Sequence, residues 1–147
     1  IKEADMVIIG PGDLYTSLAA NLVVGGIPQA LQETKATIVY VTNLMTRWGQ
    51  THDFTLSDHV AVIEKYIGRE IDILMMNSSP IPKDIEEKYL KEKSYLIPDD
   101  VTHNGYKVIR EDLLGESEVE RVPGDLLQRS LVRHDSDKLA KAIASLL

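Results

Sequence analysis

The sequence predicts an α/β domain in three layers, a parallel sheet flanked by helices. Two observations predict it. Three short apolar runs, at residues 7–9, 38–41 and 71–75, are each stopped by turn-forming residues, as in strands buried on both faces. Each run is followed by a segment with helical periodicity, and strands alternating with helices call for right-handed crossovers within one parallel sheet.

The first run, Val7, Ile8 and Ile9, ends at Gly10-Pro11-Gly12. Glycine allows backbone angles and close approaches that a Cβ forbids, and Pro11 fixes one turn angle. Leu14, Leu18 and Leu22 then fall at i, i+4 and i+8, one stripe of a helix. Strand, glycine turn and helix together present backbone N–H groups to an anion. Asp13, Thr16 and Ser17 add polar side chains in the first helical turn. The tripeptide reads first as a plain structural turn and second as a ligand cradle, because it lacks both the G-x-G-x-x-G spacing and the lysine of a P-loop. The Asp13 carboxylate would repel a phosphate unless it caps the helix or faces a metal ion.

Gly25-Gly26 should break that helix, and Pro28 suits the first position of a short one running to Glu33. Residues 36–41, ATIVYV, form the second strand. The loop after it carries Asn43, Met45, Thr46, Arg47, Trp48, Gly49, Gln50, Thr51, His52 and Asp53. Parallel sheets gather their ligand loops at the carboxyl ends of strands, so this loop should lie beside residues 10–12. Arg47 is the cation expected to reach that crevice. Trp48, the only tryptophan, is either a stacking surface or a residue packed at a subunit or domain contact.

Thr55-Leu56-Ser57-Asp58 has capping-box spacing. Leu56, Val60, Ile63 and Ile67 form the stripe of the next helix, and Gly68 ends it. Asp58 therefore has a sufficient structural role. His59 cannot share its helix face with Asp58 and reads as an ordinary helical histidine ahead of a catalytic one. Asn77 and Ser78 follow the third strand, as turn formers or ligand donors. Pro82 starts a charged helix to about Lys91, with Ile85 and Tyr89 inward and Glu86, Glu87, Lys88 and Lys91 solvated.

Residues 95–98 read as a short strand, and Asn104-Gly105 as a hairpin-type turn into a strand at 106–110. Residues 116–124 read as a charged loop and 131–133 as extended chain. Asp135-Ser136-Asp137 caps a last helix striped by Leu139, Ile143 and Leu146.

At 147 residues the chain is one domain in length. Its 16 basic against 23 acidic residues give a net charge of −7, which disfavours nucleic acid and anionic membrane as partners. No apolar run approaches a membrane span. The absence of cysteine excludes disulfides and thiolate-held metals and, with no signal peptide, points to the cytoplasm. The chain opens at Ile1 without a methionine and reads as the continuation of a longer polypeptide, residues 1–5 ending a preceding helix.

The four histidines show no metal-binding pairing. Asp13, Asn43 and Asp53 would hold Mg²⁺ against phosphates only if their loops converge. No G-x-S-x-G elbow is present.

Three stretches carry a resemblance: GPGDLYTSLAANLVVGGIPQAL, YVTNLMTRWGQTHDFTLSDHV and LVRHDSDKLAKAI. Together they resemble the gluconeogenesis-factor (YvcK) family of the CofD-like group, named for 2-phospho-L-lactate transferase. The resemblance implies a Rossmann-like fold of which residues 1–147 are the C-terminal part of one CofD-like domain, the amino-terminal glycine-rich nucleotide loop lying outside them. It implies a nucleotide diphosphate or UDP-sugar ligand such as UDP-N-acetylglucosamine, with Mg²⁺ as a companion of the diphosphate, and self-association is compatible with it. It also implies a cytoplasmic binding regulator of carbon metabolism, cell-wall synthesis and cell shape. The alternative is a transferase moving a phospholactyl group from a GDP-linked donor to a deazaflavin. The matching positions are Gly10, Gly12, Tyr15, Thr16 and Ser17, then Asn43, Met45, Thr46, Gly49, Thr51, Thr55, Asp58 and His59; Asp13 lies within the first of these motifs. One departure stands out: Gln50 and His52 occupy positions that are acidic in the family pattern Pro-Gly-Glu-Thr-Asp-Gly-Tyr. An acid–base or metal role for that loop is weakened accordingly.

Overall fold

The computed structural model describes residues 1–102, 105–115 and 130–147. Four strands, β1 (Met6–Ile9), β2 (Thr37–Val41), β3 (Ile73–Asn77) and β4 (Lys107–Glu111), form one sheet in the order β1-β2-β3-β4. Every neighbouring pair is parallel. The three strands expected from the apolar runs are therefore in one parallel sheet, the third starting two residues later and taking in Asn77.

Successive strand residues face opposite sides, and this divides the core. Val7, Ile9, Ile38, Tyr40 and Leu74 point to one face, where they meet Leu14, Leu22, Leu31, Leu56, Val60, Ile63 and Ile67. These belong to the helices after β1 and β2: α1 (Ala20–Leu22) with the π-type turn that precedes it, α2 (Ile27–Glu33) and α3 (Leu56–Ile67). Val39, Val41, Met75 and Ile109 point the other way, onto Leu139, Ala142, Ile143 and Leu146 of α5 (Ser136–Ala144). Helices on both faces of a sheet make the three layers. Between them, α4 (Lys83–Lys91) buries Ile85 and Tyr89 in a smaller cluster with Leu44, Leu131 and Val132. No helix among the described residues is long and apolar enough to cross a membrane.

Local signals set the helix ends. Thr55 caps α3 in a capping box with Asp58, and Gly68 closes it at φ 70°. Gly26, at φ 91°, caps α2, with Pro28 in its second position. Asp135 caps α5, accepting from the amides of Asp137 and Lys138.

At the start of the sheet's first strand, the amide of Ala4 closes a turn on the Ile1 carbonyl at 3.2 Å. Three expectations are corrected. The first helix begins with π-type pairing over Leu14–Ala19, because the Asp13 carbonyl accepts from both Ser17 and Leu18 at 3.0 Å. Residues 95–98 are not a hairpin partner for β4. Only Leu96 bridges, antiparallel to Met45, and β4 pairs with β3 after a crossover through α4. Leu131 and Val132 bend instead of extending, and a single bridge joins His134 to Leu114. The hairpin-type turn at Asn104 and the charged loop at 116–124 lie outside the described residues.

Candidate functional site at the carboxyl ends of the strands

Gly10 places the first wall of the site. Its φ of 95° lies in the left-handed region, and a Cβ there would sit 2.5 Å from the Val41 carbonyl oxygen. Only glycine lets the β1 turn lie against the end of β2. The Gly10–Pro11 peptide is cis. The turn then meets the loop after β2: the Gly12 amide donates to Asn43 Oδ1 at 3.1 Å, and Arg47 Nη1 donates to Asp13 Oδ2 at 2.7 Å. The two loops are side by side, as strand direction required.

The Asp13 carboxylate does not cap the helix through its side chain. Arg47 neutralises it, with a second hydrogen bond from Thr16 Oγ1 at 3.3 Å.

Between these loops and the carboxyl-terminal segment lies a cavity of about 560 Å³, of a size that holds a small organic ligand. Pro11, Gly12 and Asp13 line it from the β1 turn, and residues 43–48 from the β2 loop. Tyr89, Glu92 and Ser94 close it from the end of α4. Opposite stand Val132, Arg133, His134 and Ser136. This last wall is tied to α4 by one hydroxyl: Tyr89 Oη accepts from the amides of Leu131 at 2.9 Å and Val132 at 3.3 Å.

The sequence-derived residues divide between the cavity and its supports. Gly12, Asp13, Asn43, Met45 and Thr46 line the cavity. Thr46 is buried and holds Tyr95, whose amide donates to its Oγ1 at 2.8 Å. Thr51 is buried behind the loop, accepting from the Arg47 amide at 3.0 Å. Gly49 turns that loop at φ 77°. Tyr15, Thr16 and Ser17 are on the exposed side of the first helix. Asp58 is engaged in the cap of α3.

His59 is 1% exposed. Its Nδ1 lies 2.8 Å from the Thr55 carbonyl, and its ring stands edge-on to Phe54. Burial holds its pKa below the ordinary histidine value, against the opposing pull of the Thr55 carbonyl and Asp58. Asn77 is likewise structural: its side chain bonds both the amide and the carbonyl of Ser79, and accepts from the Leu113 amide at 3.0 Å.

The set that would hold Mg²⁺ does not fit one. Asp13 is paired with Arg47 and Asn43 Oδ1 is taken by Gly12. Asp53 has an 88% exposed side chain against His52 and does not line the cavity. Among the described residues no three His, Asp or Glu side chains converge on a metal position.

The carboxyl-terminal wall was not singled out from the sequence. Arg133 makes no ion pair or side-chain hydrogen bond among the described residues, so its charge faces the cavity without an acidic partner. His134 is partly buried, its Nε2 without a partner among the described residues, and burial lowers its pKa. The available signal was the third stretch of resemblance, where Arg-His-Asp follows an apolar Leu131-Val132 pair.

The family model for 2-phospho-L-lactate transferase CofD matches residues 1–114. A gluconeogenesis factor of Listeria innocua serovar 6a is 35% identical over 150 residues, covering 100% of this chain and 42% of that protein. The gluconeogenesis factor of Listeria monocytogenes serovar 1/2a matches with the same figures. A crystal structure of a UPF0052-family protein from Bacillus halodurans superimposes with a TM-score of 0.82 at 32% identity, covering 97% of this chain and 43% of that one. The chain thus spans less than half the length of the curated relatives it matches.

Proposed function

The chain belongs to the CofD family, and we propose that its cavity receives the diphosphate of a nucleotide sugar, of the UDP-N-acetylglucosamine type. In this reading the protein is a binding regulator that links nucleotide-sugar supply to carbon metabolism, cell-wall synthesis and cell shape. The observation that carries it is the convergence of the Pro11–Asp13 turn, the Asn43–Trp48 loop and Arg133, unpaired among the described residues, around one cavity. Arginine in a partly dry cleft binds phosphate oxygens through charge-assisted hydrogen bonds. With no carboxylate set to hold a metal among the described residues, Mg²⁺ would arrive on the diphosphate itself.

Titration calorimetry with UDP-N-acetylglucosamine tests the reading: saturable heat is expected, and its absence overturns it. The Listeria innocua relative, run in parallel, should bind more tightly, since its further length can supply additional phosphate contacts. Equal affinities would mean that the site needs nothing beyond these 147 residues.

The CofD match favours a second reading, a transferase moving a phospholactyl group from a GDP-linked donor to a deazaflavin acceptor. Incubation with both substrates separates the two: product formation supports the transferase, and nucleotide-sugar binding without product supports the regulator.

A further inference from the structure

Trp48 differs from the other large apolar side chains of the cavity wall. It lines the cavity and is nevertheless 53% exposed. Two groups hold it: the His52 ring, 4.7 Å away between centroids and tilted by 56°, and the Lys93 ammonium, 4.6 Å from the ring centroid. Attraction of a cation to the indole face fixes the ring at its place.

Lys93 occupies an unusual position to do so. Helix α4 ends in a Schellman-type closure, the Lys93 amide donating to Leu90 and the Ser94 amide to Tyr89, each at 3.0 Å. The residue at this point must be left-handed and is most often glycine. Lys93, at φ 54°, is the one described non-glycine residue with positive φ. Backbone strain of this kind persists where the surrounding structure holds it in place, and it clusters at ligand-binding sites. Here the long side chain gained at that position reaches the indole.

Resting on the reading that a nucleotide occupies the cavity, we infer that Trp48 is the stacking platform for its planar base, with Lys93 as the positioning residue that holds the indole. Arg133, without an acidic partner among the described residues, lines the same cavity as Trp48. A ligand whose anionic centre meets Arg133 keeps its other groups within that cavity, where Trp48 offers its exposed ring. Any nucleobase offers a π-face to an indole, so stacking here gives affinity without a demand for one base.

The sole tryptophan makes the test direct. Intrinsic fluorescence and calorimetry are followed with three probes: inorganic pyrophosphate, ribose 5-phosphate and UDP. UDP alone is expected to change Trp48 emission strongly. Trp48→Leu should weaken UDP by about five- to a hundredfold, the worth of one base–aromatic stack, and leave pyrophosphate unchanged. Lys93→Gly relieves the left-handed strain, so it should fold at least as stably as the parent. It should nonetheless weaken UDP and shift the indole emission.

UDP affinity unchanged in Trp48→Leu overturns the platform, and a simultaneous change in sedimentation would assign Trp48 to a contact between copies. Ribose 5-phosphate depending on Trp48 as strongly as UDP overturns the base in favour of the sugar. Binding of pyrophosphate and UDP with equal affinity overturns the platform while leaving the anion site standing. Binding of no probe overturns the cavity reading and the platform with it.

Discussion

The two long walls of the cavity each contain an arginine, and the two arginines are in opposite states. On the wall made by the β1 turn and the β2 loop, Arg47 is spent on Asp13 at 2.7 Å, and the Gly12 amide on Asn43. On the carboxyl-terminal wall Arg133 has no acidic partner among the described residues. The first wall is fixed by backbone, with Gly10 lodged under the Val41 carbonyl. The second is joined to α4 by one phenol, Tyr89 Oη, and to the segment after β4 by the Gly115–Arg133 and Asp135–Leu113 backbone bonds. A glycine-rich turn thus supplies shape here, and the chain's other end supplies net charge. The residues most visible in a motif are not the ones with charge left to offer.

Breaking the first wall should have the largest effect. Gly10→Ala forces a Cβ to 2.5 Å from the Val41 oxygen in a left-handed conformation, and should cost about 2–3 kcal/mol, read as a lowered denaturation midpoint in urea. Tyr89→Phe should cost somewhat less, about 2 kcal/mol, by leaving two amides unsatisfied. Hydrogen exchange should quicken at Leu131 and Val132 while β1 and β2 stay protected.

Arg133→Gln should reduce UDP affinity about tenfold, one charge-assisted bond, without altering the denaturation midpoint; an unchanged affinity would refute the division of labour. Asp13→Asn has the opposite sign. It releases Arg47 from a partly exposed pair, which holds it by less than about 1 kcal/mol, so pyrophosphate should bind about threefold more tightly.

The smallest effect is that of pH. Burial depresses the pKa values of His134 and His59 in the folded chain, so the unfolded chain binds more protons as acidity rises. Their contribution to stability is full above about pH 6.5, the ordinary histidine value, and is lost as pH falls through the folded values. Tm measured from pH 7.5 downward should fall, and His134→Gln should flatten part of that slope.

Legibility in the sequence followed the range of the interactions. The capping box at Thr55 and Asp58, the Gly68 stop and the Asp135 cap are settled within four residues, and a chain read locally reveals them. The three apolar runs carry their own burial, so sheet membership was readable too. Pairing was not: Asn104-Gly105 suggests a hairpin, whereas β4 reaches β3 only through α4. The same holds for the site. Gly12 and Asn43 could be brought together from strand direction alone. The Arg47–Asp13 pair and the Tyr89 clasp join residues 34 and 42 positions apart, and side-chain reach of that kind has no signature in spacing.

Helix α5 covers its face of the sheet without burying any residue completely. Its stripe of Leu139, Ala142, Ile143 and Leu146 shields Val39, Val41, Met75 and Leu113, while Ser136 and Leu139 at its start complete the cavity. A helix that buries no residue completely opens more readily than the core beneath it. Each such opening dismantles the cavity wall and uncovers a β-rich apolar surface in the same event. Whatever fills the cavity therefore also holds α5 down by mass action. Starved of ligand, the protein should become both more protease-sensitive near its carboxyl terminus and more prone to self-association, two symptoms of one equilibrium.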